Sequence, residues 1–321
     1  AVGHNALTAN TLANRNTAVG RHALTANTTG EDNIGIGYHA LVENTTGSDN
    51  VAVGSYALDA NAADMNTAIG YQALTANTTG AYNTAVGGDS LKTATTATKN
   101  TGIGYEALEA TTTGSYNTAV GSNCMKTNTT GASNVAVGQG AMNLNTTGAN
   151  NVAIGVNALD ANTTAGNNTA VGFQAMTDNT TGALNAALGR EALFKNTTGS
   201  QNTACGTYTL YENLTGIENT AVGYVALEKN TASYNTAVGS RALDLNTTGS
   251  SNTALGYQSL TSNTTASNNT ALGYGAMAAN TTGTANVAVG SNALDAITTT
   301  SYNVAIGHNA MSDGVGGQEC V

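Results

Sequence analysis

The sequence contains no proline and no tryptophan, only two phenylalanines, three cysteines and four histidines. Charged residues make up 9%, far below the roughly one quarter of an ordinary globular domain. Each scarcity removes a class of function. The net charge of −10 is thinly spread and no basic patch exists, so nucleic acid is not an expected partner. No apolar run approaches the length of a membrane-spanning helix. Low charge combined with regularly spaced apolar residues also argues against disorder. The chain has neither a signal peptide nor an initiating Met and starts in mid-unit at Ala1. We therefore expect it to be a piece of something longer.

What the sequence has in abundance is itself. The Gly that closes each A-V-G or A-I-G falls at Gly3, Gly20, Gly37, Gly54 and onward to Gly307, in 19 units. The step is 17 residues except for two steps of 16, Gly54 to Gly70 and Gly223 to Gly239. The consensus reads N-[TV]-A-[VI]-G-Y-x-A-L-x-x-N-T-T-G-x-x. The leading Asn is Asn in all 18 complete units, and the apolar residue after x-A is Leu or Met in all 19. A fixed period of this kind decides the architecture before anything else does. Hydrophobic residues are 40%, with alanine the commonest, and there are 39 glycines.

Alternation within N-T-A-V-G predicts a short strand, with the Thr/Val and Val/Ile columns on one face and the Ala and Gly columns on the other. Ala158 and Leu159 are expected in a second short extended piece. The N-T-T-G stretch is turn chemistry, and Asn, Thr and Gly disfavour helix. The fold class expected is all-β: a repetitive β-solenoid or β-roll of 19 coils over residues 1–311, the first incomplete, with a Gly-rich tail at 312–321. Stacked at the strand spacing, the coils would form a rod on the order of 90 Å long. The shortened units are expected to lose a loop residue, around Asp64 and Ala232.

The leading Asn column reads as a structural amide ladder: Asn16, Asn33, Asn50, Asn66, Asn83, Asn100, Asn117, Asn134, Asn151, Asn168 and onward. The Leu/Met and Val/Ile columns are expected inside the coil. The Ala face, with Ala18, Ala52, Ala68 and Ala85, is expected to serve chain–chain association. The alternative is that it packs inside a narrow monomeric coil.

NVAIGVNAL at 151–159 and NVAIGHNAM at 303–311 resemble the repeats of trimeric autotransporter adhesin heads. The same language is similar to repeats of phage and bacterial tail-fibre-like proteins. The adhesin unit is shorter and lacks N-T-T-G, and the present unit drops the Ser after the Asn. The resemblance implies a left-handed parallel β-roll, a homotrimeric fibre segment, and an extracellular place on a cell surface or virion. It also implies attachment to a surface glycan or protein receptor, with no membrane insertion by this segment. Two alternatives stand beside it. One is a filament subunit joined end to end through open coil edges. The other is a monomeric solenoid with a flat ligand- or ice-binding face, motivated by Thr67, Thr84, Thr101 and Thr118. Against that last reading, the Thr column turns to Ile or Val at Ile34, Val51, Val135 and Val152, a mix better suited to an interior.

No catalytic site is expected, because departures from the consensus do not converge on one place. No cofactor or metal is expected either. His22 and His39 share a column in adjacent coils and read as a surface ladder rather than a zinc site. Cys124 and Cys205 are too far apart to pair and read as small buried hydrophobes, and Cys320 reads as an idle thiol. The N-T-T asparagines, among them Asn27, Asn44, Asn77, Asn145 and Asn196, are formal glycosylation acceptors that read better as turn residues. Tyr38, Tyr71, Tyr105, Tyr224, Tyr257 and Tyr274 share the column after the Gly. They form a candidate exposed aromatic binding row, with shielding of the turns as the alternative. Tyr82, Tyr116, Tyr234 and Tyr302 share the column before the Asn.

Overall fold

A computed structural model describes residues 1–313. Cys320 and most of the expected tail lie outside the described residues. The chain divides into two compact units, Ala1–Thr164 and Ala165–Val321. Among the described residues each carries nine strands of three residues. The first unit holds β1 (Thr17–Val19) to β9 (Val152–Ile154), and the second β10 (Thr169–Val171) to β18 (Val304–Ile306). Within each unit every strand pairs in parallel with the next, residue for residue, as in Thr118↔Val135 and Ala119↔Ala136. This is a parallel β-solenoid, and the described residues contain no helix.

Each coil has one strand, not two. The Ala-Leu stretch is a tight turn, because the Leu/Met column is left-handed throughout, with φ of 48–56°. That costs roughly 1–2 kcal/mol per residue for an L-amino acid. It aims the backbone along the stack: Leu24 N–H donates to Ala40 O at 2.9 Å and Leu41 N–H to Ala57 O at 3.1 Å. The strand ends where it does because of its glycine. Every Gly of that column has φ between +129° and +142°, a region open to glycine and closed to other residues. A Cβ at Gly121 would also lie 2.5 Å from Gly138 O in the next coil.

The strand alternates as expected, but its faces are reversed. Ala18, Ala52, Ala68 and Ala85 are buried, and the flanking Thr/Val and Val/Ile columns point outward. The Ala face is thus no association surface, and the Val/Ile column does not fill the core. The reason is width. A Cβ placed at Gly35, in the Ala column, would already meet Leu24 Cγ at 3.2 Å. The space between strand and turn admits a methyl group and no more, so the larger β-branched residues face out. Ala23, Leu24, Met125 and their equivalents in the inner coils complete the core with no exposure at all, while Leu7 and Met311 in the outermost coils are half-buried. The 16-residue coils lose a residue from the loop, where Asn61 Nδ2 reaches Ala63 O two positions on rather than three. Strand register passes through undisturbed, as in Val51↔Thr67.

Candidate functional site

Two amide ladders run through the core of each unit. The leading Asn column is the expected one. From Asn33 to Asn151, and again from Asn185 to Asn303, each Asn N–H donates to Oδ1 of the preceding Asn at 2.9–3.0 Å. In most coils its Nδ2 donates to the carbonyl at the loop Gly or Ala of its own coil, as in Asn117 Nδ2 to Gly131 O at 2.8 Å and Asn168 Nδ2 to Gly182 O at 2.8 Å. Asn286 Nδ2 uses Thr300 O at 2.9 Å instead, and Asn303 Nδ2 turns back to Asn286 Oδ1 at 2.9 Å.

The second ladder is the asparagine of N-T-T. Asn27, Asn44, Asn77, Asn145 and Asn196 are fully buried. Each donates Nδ2 to the carbonyl three residues on, at 2.8–3.1 Å. Each also reaches its neighbour in the stack, as in Asn145 Nδ2 to Asn128 Oδ1 at 2.8 Å. A buried, donating amide is closed to glycosylation in the folded chain. The ladder breaks where the column holds Ala94 or Ile297. There Asn77 Oδ1 and Asn280 Oδ1 have no hydrogen-bond partner.

Outside, the strands present a flat face. In the first unit Val19, Ile36, Ile69, Ile103, Val137 and Ile154 are exposed along one column, and in the second unit Leu188, Val222, Leu255, Leu272 and Ile306. Leu188 is 54% exposed and Ile154 41%. The Thr/Val column runs beside them. Nine strands at about 4.8 Å and three residues at about 3.3 Å give each unit a face of roughly 430 Å². That area includes the Thr/Val column, so its apolar part is smaller, within the few hundred Å² at which the largest patch of a monomer is often functional.

The six expected tyrosines are exposed, but they form no continuous row. Tyr257 and Tyr274 stack at 5.4 Å. Tyr38 and Tyr71 instead each meet Tyr56, from the neighbouring column, at 5.3 and 6.4 Å. Tyr224 lines a groove of about 400 Å³ with Tyr208, Tyr211, Val225, Glu228, Arg241 and Asp244. Sequence reading missed this groove, and here departures from the consensus do converge. Tyr208, Val225 and Arg241 stand at one column of three successive coils, and Tyr211, Glu228 and Asp244 at another. Phe194 stacks on Tyr211 at 5.2 Å with planes 6° apart, and Arg190 lies over Tyr208 at 5.6 Å. Burial pushes the Asp244 carboxyl up, and the neighbouring Glu228 adds to the shift. Aligning the coils gives the missed signal: Phe194 and Tyr211 are the sole aromatics in the column after Leu/Met.

His22 and His39 rings lie 5.1 Å apart, edge to face, as a surface pair. Among the described residues no group of three or more His, Cys, Asp or Glu is placed to hold a metal ion. Cys124 is buried in an Ala position, and burial pushes its thiol up to about 12. Cys205 is half-exposed rather than buried, because its Val/Ile column faces outward. Among the described residues no helix is long and apolar enough to cross a membrane.

No protein-family model matches this chain, and comparison with the curated proteins returned no match.

Proposed function

We propose that this chain is a non-enzymatic structural segment of an extracellular attachment fibre, assembled from three copies on a cell surface or virion. One observation carries the reading: the uncovered face of Val, Ile, Leu and Thr on each unit. A standard interface buries about 800 Å² per partner, and the face of a single unit comes to roughly half of that. A second copy presents the same columns at the same strand spacing, so it matches the face rank by rank. The number three comes from the resemblance of N-V-A-I-G-x-N-A to adhesin head repeats.

A second reading gains weight from the outward Thr column. Thr84, Thr101 and Thr118 stand side by side next to Val86, Ile103 and Val120 on the solvent side. That regular, half-apolar surface suits a monomer with a flat face for ordered water or another repetitive ligand. Native mass by sedimentation, with and without reductant, separates the two. Three times 31.9 kDa supports the fibre. A single-chain mass removes it and directs attention to ice-growth inhibition by the flat face.

A further inference from the structure

Within the second unit, one surface breaks the monotony of the repeat. Elsewhere the residues after Leu/Met and two after the strand Gly are mostly small or polar. Around the groove they become Phe194, Tyr208, Tyr211, Val225 and Arg241, beside Glu228 and Asp244 in a column that is acidic also at Asp59, Glu109, Asp160 and Asp295. The cluster has the parts of a recognition site: concave shape, aromatic walls and a few convergent polar groups. Its volume of about 400 Å³ suits a mono- or disaccharide.

The chemistry narrows the ligand. Phe194 stacked on Tyr211 makes a rigid aromatic platform, and Tyr208 stands edge-on to Tyr211 at 5.7 Å. Such rings present apolar faces beside hydroxyl groups. Glu228, Asp244 and Arg241 line the same space. The charges in and beside the groove offset one another: Lys229 pairs with Glu228 at 3.7 Å, Lys195 lies over the Tyr211 ring at 5.3 Å, and Asp244 stands with Arg241. No net charge of either sign is on offer, which favours a neutral molecule with alternating C–H faces and hydroxyls. Its C–H face lies on the aromatic wall, its hydroxyls donate to the carboxylates, and the guanidinium donates to a ring or hydroxyl oxygen.

We propose that this groove binds a neutral saccharide, with Tyr211 and Tyr224 as stacking residues and Glu228, Arg241 and Asp244 as hydroxyl readers. The biological sense of the proposal rests on the attachment reading, but the binding does not depend on native mass. The test is saturation-transfer NMR on the full chain with methyl glycosides of glucose, galactose, mannose and N-acetylglucosamine, together with maltose, lactose and cellobiose. Inorganic phosphate and methylammonium, titrated separately, serve as charged controls. At least one sugar should receive saturation on its ring C–H protons. Tyr211→Ala and Asp244→Asn should each weaken binding by about tenfold or more, the effect of losing one good contact. Tyr71→Ala, outside the groove, should leave binding unchanged. Circular dichroism of each variant checks that the solenoid is intact, and Tyr211→Phe supplies a milder substitution if Tyr211→Ala fails to fold. The proposal is overturned if no sugar in the panel receives saturation, or if saturation survives in folded Tyr211→Ala and Asp244→Asn. Preferential binding of phosphate or methylammonium overturns it as well. Sugar binding by a chain of single-chain mass would uphold the groove while removing the fibre. A trimer without sugar binding would do the reverse.

Discussion

The two asparagine columns share a core, a side-chain type and a target carbonyl, yet only one tolerates replacement. At Gly131 both converge on the same oxygen, Asn117 at 2.8 Å and Asn128 at 3.1 Å. The leading column is Asn without exception, whereas the N-T-T column admits Ala94, Thr111 and Ile297. Their acceptors explain the difference. Asn117 Oδ1 receives the backbone N–H of Asn134 at 3.0 Å. Asn128 Oδ1 receives only the side-chain amide of Asn145. Removing the first strands a backbone donor in a dry core. Removing the second deprives one amide of one of its two acceptors. The glycines divide the same way. The strand Gly answers to a backbone angle and never varies, while the loop Gly, which has no positive φ, gives way to Ala97, Ala165 and Ala266.

Substitutions can break this contrast. The largest loss is expected at the strand glycine: Gly121→Ala, with its φ of +140° and its clash with Gly138 O, should cost about 3 kcal/mol or more. A Cβ at Gly131 meets Gly148 O just as closely, at 2.5 Å, but Gly131 has no positive φ and its column already holds Ala97, Ala165 and Ala266. Gly131→Ala should therefore cost less, and denaturant melts of the pair decide whether the backbone angle or the contact dominates. Next comes Asn117→Ala. It leaves the Asn134 N–H unpaired and should cost about 2–4 kcal/mol, since each orphaned buried group costs roughly 1–3 kcal/mol. Asn128→Ala should cost about 1–2 kcal/mol in the same assay. If the two asparagines cost the same, the account of the acceptors fails. The smallest effect runs the other way. Ala94→Asn offers an amide to the orphaned Asn77 Oδ1 and should stabilise the chain by about 1 kcal/mol, read as a higher melting midpoint.

The period, the stacked coils and the leading amide ladder were legible in the sequence, because each column does one job per coil. The sign of the strand was not. Alternation in N-T-A-V-G defines two faces without saying which is inside. That choice depends on coil width, and width depends on the left-handed turn at Leu and Met, which an apolar column does not announce. The second ladder was hidden for a related reason. Asn in N-T-T has the composition of an exposed turn, and only the stacking shows that its amide points inward. The groove was hidden because its residues are separated by whole coils and meet only when the coils are aligned.

The outward apolar face as a seam between copies is the central claim. The most direct test is sedimentation of the Ile103→Glu, Leu188→Glu double variant beside the unaltered chain. Both positions lie on exposed strand ends, one in each unit. The account predicts that the unaltered chain sediments as a trimer and the double variant as a single chain, with matching circular dichroism. An unaltered chain of single-chain mass, or a double variant that keeps the trimer mass, would contradict it.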